Sequence, residues 1–200
     1  MHVPGGAWLP GSELRHYDAR EDAGGVTRCS NCEAVTWGPL VVESETMVGT
    51  YDRHGIQFSY PENWKIQENR SDRGSHCVTL QSPESGFWML HVYESPESLQ
   101  RLASEVKQSL QKEYQEVDVD PAVENIEGIS MGGYDLQFYC LDFVVTARVR
   151  SFLLDGRACV LLSQAEDSEF DRIAPVFTAI TTSLLQRADA NTAERQRDGR

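Results

Sequence analysis

The run Gly86-Phe87-Trp88-Met89-Leu90-His91-Val92-Tyr93 constrains the fold more than any other stretch of this chain. Successive side chains of a strand point to opposite faces, yet this run is apolar at both odd and even positions. A strand with two apolar faces belongs in the middle of a sheet that is covered on both sides. The rest of the chain must therefore supply neighbouring strands for its edges and further layers for its faces.

Neighbouring strands are legible on both sides of this run. Gly55-Ile56-Gln57-Phe58-Ser59-Tyr60 alternates with period 2 and stops at Pro61, as a strand should. Glu62-Asn63 predicts a turn, with Trp64-Lys65-Ile66-Gln67 pairing back on the first strand, and residues 76–80 predict a third. In the second half, residues 116–127 predict a strand broken at Pro121, and Gly132-Gly133 predicts a turn before residues 134–139. Residues 144–154 and 157–165 flank Asp155-Gly156. Asp-Gly between alternating apolar runs is a strong hairpin signal, because a type I′ turn needs φ > 0 at both centres.

Two helices complete the pattern. Ser95-Pro96-Glu97 predicts a helix start, since Ser caps free N–H groups, Pro suits the first position and Glu suits the dipole. Leu99, Leu102, Ala103, Val106, Leu110 and Tyr114 then follow at spacings of three and four, one apolar stripe. A last helix is predicted from Asp167-Ser168, with Phe170, Ile173, Phe177, Ile180 and Leu184 on its inner side and Pro175 causing an initial turn or a kink. The predicted core takes in Phe58, Trp64, Trp88, Leu90, Val92, Leu102, Val106, Phe138, Phe152, Val160, Leu162, Phe177 and Ile180.

Outside this pattern the chain changes character. Residues 1–46 are rich in Gly, Pro and charge without a sustained period, and read as a disordered or weakly ordered N-terminal extension. Met47 opens a compact stretch just before the first clear strand, so a translation start at Met47 is a second reading of those residues. Residues 47–186 form the expected domain, and residues 187–200 a flexible C-terminal tail. No export signal is visible at the N-terminus, and no apolar run approaches the roughly 18 residues of a membrane span. The expected compartment is the cytoplasm.

Composition narrows the partners. Acidic residues number 31 against 18 basic ones, a net charge of −13 that repels phosphate backbones and argues against nucleic acid. Five cysteines, without an export signal, read as reduced thiols, those in apolar runs (Cys77, Cys140 and Cys159) acting as small hydrophobes.

Particular residues carry a resemblance. The segment GIQFSYPENWKI, an alternating strand ending at Tyr60-Pro61 and returning through Trp64, resembles the opening of the PsbP/Mog-like superfamily, which takes in DcrB-type bacterial proteins. The closing segment RSFLLDGRACVLLSQAEDSEFDRIAPVFTAITTSL, which runs hairpin, strand, acidic turn and helix, is similar to the end of those proteins. The resemblance spans residues 55–185. It implies an α+β fold, a central twisted antiparallel sheet flanked by helices on both faces (an α/β/α sandwich), with about six to eight strands. For function it implies little, because members support a photosystem, bind a small GTPase or act as adaptors, and a shared fold does not share a site.

Candidate sites are few. His91 and Tyr93 share one face of the central strand with Phe87 and Met89, as cavity-lining residues or as a packed histidine with satisfied nitrogens. Arg148 and Arg150 share a face of the long strand about 7 Å apart, close enough to grip a carboxylate or phosphate together, or to pair with acids on neighbouring strands. Cys29-Ser30-Asn31-Cys32 is a CxxC, half of a zinc site; structural zinc needs four ligands, and the remaining candidates His16 and His54 stand at unhelpful separations. The acids at 167–171 read as a helix start, and Asp118, Asp120 and Glu124 as a solvated strand edge. Nucleotide-binding, hydrolase and zinc-protease motifs do not occur.

The expectation is therefore a non-catalytic protein-binding or adaptor module without a cofactor or metal, acting on a protein partner. A small-ligand carrier with a pocket lined by His91, Tyr93, Arg148 and Arg150 is the alternative, and an enzyme the least supported reading.

Overall fold

The computed structural model describes residues 47–70, 75–94 and 98–198, with side chains through Ala188. The expected N-terminal extension, Cys29, Cys32 and His16 lie outside the described residues.

A short hairpin comes first, β1 (Val48–Arg53) and β2 (Ile56–Pro61), joined by His54 and Gly55 at φ 55° and 69°. Positive φ at both centres makes this a two-residue turn whose twist matches its strands. Three strands follow, β3 (Lys65–Arg70), β4 (His76–Gln81) and β5 (Phe87–Tyr93), then helix α1 (Leu99–Glu113). The chain continues as a four-strand meander, β6 (Asp118–Ile126), β7 (Ile129–Cys140), β8 (Phe143–Leu154) and β9 (Arg157–Glu166), and ends in α2 (Asp167–Asp198). The two meanders join through antiparallel β5–β9 pairing into one seven-stranded sheet, β3-β4-β5-β9-β8-β7-β6. The strand read as central thus has paired neighbours on both edges, β4 and β9.

Burial follows the pleat. On β9, Cys159 and Leu161 join a cluster with Tyr51, Ile56 and Phe58 of the first hairpin and Phe170, Phe177, Ile180 and Leu184 of α2. Ala158, Val160 and Leu162 of the same strand join a separate cluster with Leu102 and Ala103 of α1. Every residue of the predicted core is buried except Val106, which is partly buried against the second cluster.

Several expectations are corrected. β3 does not pair with β2; β2 pairs with β1, and β3 pairs with β4. The cause lies at Trp64, which is buried edge-on against Phe177 at 5.9 Å and turns the chain away from the hairpin. Pro121 does not break its strand, because β6 is the outer strand of the sheet, where a missing N–H costs no ladder bond. Gly132-Gly133 is not a turn but lies inside β7; the turn is Glu127-Gly128, both at positive φ. A Cβ on Gly133 would meet the Val149 carbonyl oxygen at 1.9 Å, so glycine is there for close approach to β8. Asp155-Gly156 forms the expected turn, at φ 50° and 75°.

At the helices, the cap of α1 is Ser98, whose side chain accepts from the Arg101 N–H; Ser95, Pro96 and Glu97 lie outside the described residues. Helix α2 runs through Pro175 and on past Arg187 to Asp198, beyond the expected domain end. Pro175 is exposed, so the carbonyl it leaves unpaired can take water. The acids that open α2 tie it to the sheet: Asp167 accepts from Gln137 and Thr146, and Glu169 accepts from the Ser85 N–H and hydroxyl.

Candidate functional site

The pleat puts His76 of β4 on the same face as Val78 and Leu80, the face that the β1–β2 hairpin covers. His76 is 5% exposed. The Tyr51 hydroxyl of β1 lies 2.8 Å from its Nε2, whereas its Nδ1 is buried without a hydrogen-bond partner among the described residues. His54, in the hairpin turn, sets its ring 4.4 Å from that of His76. Glu68 of β3 is cross-strand from Val78, hence on the same face and diagonal to His76. One donor atom each from His54, Glu68 and His76 lies within 4.8 Å of the others.

The surroundings hold this cluster in place. Arg53 Nη1 donates to Glu68 Oε1 at 2.8 Å. From β9, Arg157 donates to the backbone carbonyls of His54 (3.3 Å) and Gly55 (3.0 Å), which fixes the turn carrying His54. Beside it opens a surface depression of about 410 Å³ lined by His54, Gly55, Asp155 and Arg157. Burial, then the neighbouring His54, lowers the pKa of His76 and favours its neutral form. Burial, then the Glu68 carboxylate, raises that of Tyr51.

The residues singled out in the sequence are used otherwise. His91 and Tyr93 do share a face and stack at 4.3 Å between ring centres, but both stand partly exposed on the face opposite His76, where His91 is cross-strand from Cys77 and Val160. Burial, with the nearby His76 second, lowers the pKa of His91. Arg148 lays its guanidinium 4.8 Å from the Phe170 ring centre. Arg150 is 5% exposed and internally engaged: Nε donates to Glu124 (3.1 Å), Nη2 to Asp135 (2.6 Å), and Nη1 to the carbonyls of Tyr134 and Val149. The two arginines share a depression under α2 of only about 20 Å³, room for roughly one water molecule.

The sequence reading missed the cluster of His54, Glu68 and His76, and it undervalued His54. The available signal was His54-Gly55, a two-residue turn between alternating runs that places a histidine over the strands that follow.

A second surface stands out at the far end of β7 and β8. Cys140–Phe143 and Tyr139–Val144 are paired with each other, but β6 pairs only as far as Gln137 and β9 only as far as Val145. The tip therefore projects past both neighbouring strands. Tyr139, Leu141 and Phe143 on it are 59%, 87% and 52% exposed, and Leu141 has a φ of 56°. No helix among the described residues is long and apolar enough to cross a membrane.

No protein-family model matches the chain, and no curated protein does either. Solved structures do. The cyanobacterial PsbP (CyanoP) of Synechocystis sp. PCC 6803 is similar at a TM-score of 0.50 with 10% identity, over 74% of this chain and 95% of that one. A protein of unknown function and putative regulator from Pseudomonas aeruginosa, PA94, matches at 0.42 with 13% identity, over 68% of this chain and 95% of that one. LpqN, involved in cell envelope biogenesis of Mycobacterium tuberculosis, matches at 0.37 with 13% identity, over 62% and 79%. The likeness is one of architecture, and the chain has a PsbP-like fold.

Proposed function

We propose that this chain is a non-catalytic protein-binding module that engages its partner through the projecting tip of β7 and β8. The observation that carries this reading is the exposure of Tyr139, Leu141 and Phe143 together, with leucine in a backbone region that favours glycine. Tyr139 is paired with Val144 and Phe143 with Cys140, so the two stand on opposite faces with Leu141 in the turn between them, and the tip offers apolar surface on both sides. The positive φ is what the two-residue turn requires, at a position more often given to Gly or Asn. The sheet behind the tip is a stiff mount. We read it as an α/β/α sandwich with α1 and α2 on opposite faces, a layering supported by their membership of separate apolar clusters.

Two observations favour this over a small-ligand carrier. The depression shared by Arg148 and Arg150 is too small for an organic ligand, and Arg150 is already engaged by two carboxylates. The net charge of −13 further favours a protein over a nucleic acid as partner.

The test is affinity capture with the full chain against Leu141→Gly and Phe143→Ser. Leu141→Gly suits the backbone while removing the side chain, so stability should stay within about 1 kcal/mol of wild type. A stoichiometric protein retained by the wild type and lost by both variants supports the reading. A partner held equally by all three chains overturns it.

A further inference from the structure

We propose that His54, Glu68 and His76 form a binding site for a zinc-class divalent cation, with Tyr51 and Arg53 as the supporting shell. The donor set is two imidazoles and one carboxylate, the kind of three-ligand protein set that leaves a fourth position of tetrahedral zinc to water. Its atoms already lie within 4.8 Å of one another, against about 3.3 Å between ligands on bonds of about 2.0–2.1 Å in a tetrahedron. The remaining closure falls to His54, which is exposed in its turn and can rotate over the buried partner.

The buried partner carries the argument. His76 is 95% removed from solvent, and one ring nitrogen has no hydrogen-bond partner among the described residues. Buried polar atoms are nearly always satisfied, so an orphan beside two further donors points to an unseen occupant. The bonding around the ring identifies what that nitrogen offers. In the tautomer that carries its proton on Nε2, His76 donates to the phenol oxygen of Tyr51 at 2.8 Å. In that tautomer Nδ1 carries a free lone pair, and the Tyr51 bond at Nε2 holds the ring.

The same contacts are the outer shell that metal sites use. A ligating histidine donates its other N–H to a fixed partner, here Tyr51, and a ligating carboxylate is itself hydrogen-bonded, here by Arg53. Arg157 and Arg53 also set the selectivity. With one carboxylate and two guanidinium groups nearby, a hard cation held by charge alone gains little, whereas zinc, nickel or copper gains from imidazole donation.

The experiment uses the full chain carrying Cys29→Ser and Cys32→Ser, so that the CxxC cannot supply ligands. Zinc chloride is titrated calorimetrically, and cobalt(II) is added separately as a spectroscopic probe. The expected result is one zinc per chain, a cobalt spectrum of tetrahedral type without thiolate charge-transfer bands, and no binding of calcium or magnesium. In the same background, His54→Ala and Glu68→Gln should each lower zinc affinity at least roughly tenfold, and Tyr51→Phe roughly 10–100-fold. All three leave the buried His76 in place and should fold, which circular dichroism checks. Failure of the serine background to bind zinc, or binding that is the same with and without His54 and Glu68, would overturn the site.

Discussion

The indole Nε1–H of Trp88 donates to Thr181 Oγ1 at 3.2 Å, joining the start of β5 to the last helix through a wholly buried bond. Thr181 in turn donates to the Phe177 carbonyl one turn back, so a single hydroxyl serves both the sheet and the helix. Thr181→Val keeps the shape and strands the indole N–H. The expected loss is about 1–3 kcal/mol in urea unfolding, without a change in m-value. A midpoint equal to wild type would mean that the indole bond contributes nothing.

The paired glycines of β7 should behave oppositely. Gly133→Ala drives a Cβ against the Val149 carbonyl and should cost about 1–3 kcal/mol or more. Gly132 has nothing within 4 Å of the position its Cβ would take, so Gly132→Ala should stabilise by roughly 0.5–1 kcal/mol as strand entropy is reduced. Thermal melts of the two single variants, side by side, separate close approach from generic strand preference.

Thiol reactivity should follow burial. Burial pushes the Cys77 thiol up to about 11 and the Cys159 thiol up to about 12, so neither is a thiolate at neutral pH. Under native conditions iodoacetamide should label Cys140, which is partly exposed, and spare the other two. In denaturant all three should label at similar rates, read peptide by peptide by mass spectrometry.

His91 gives stability a pH dependence of known sign. Burial, then His76, lowers its pKa in the folded chain, so around and below the ordinary histidine value the unfolded chain binds more protons. Its contribution is present above about pH 6.5 and is lost as pH falls through the depressed folded value. His91→Phe keeps a ring to stack on Tyr93 and should flatten the fall in unfolding free energy between about pH 7 and 5, measured with a chelator present. An unchanged slope would place the His91 imidazole in water.

What the sequence disclosed depended on the range of the interaction. The double-faced apolar run of β5, the stripe of α1 and the Asp155-Gly156 turn are local patterns, and each is found where it was expected. Pro121 and Gly132-Gly133 were misread because their meaning depends on the neighbouring strand. Proline is tolerated where β6 has no outer partner among the described residues, and glycine is required where β8 comes close. The candidate metal ligands were invisible for the same reason: a hairpin turn, β3 and β4 contribute one donor each, and no motif spacing relates a folded-over turn to the strands beneath it. The Arg148–Arg150 pair was legible as a pair, but the acids that occupy Arg150 come from β6 and β7.

The first hairpin shares no ladder with the seven-stranded sheet. Its separation from the sheet would break the Tyr51–His76 and Arg53–Glu68 bonds, the Arg157 clasp on the turn and the packing of β2 on α2, while no ladder bond of the main sheet is lost. It constitutes a unit of local opening, whose amides exchange with solvent before those of β5 and β9.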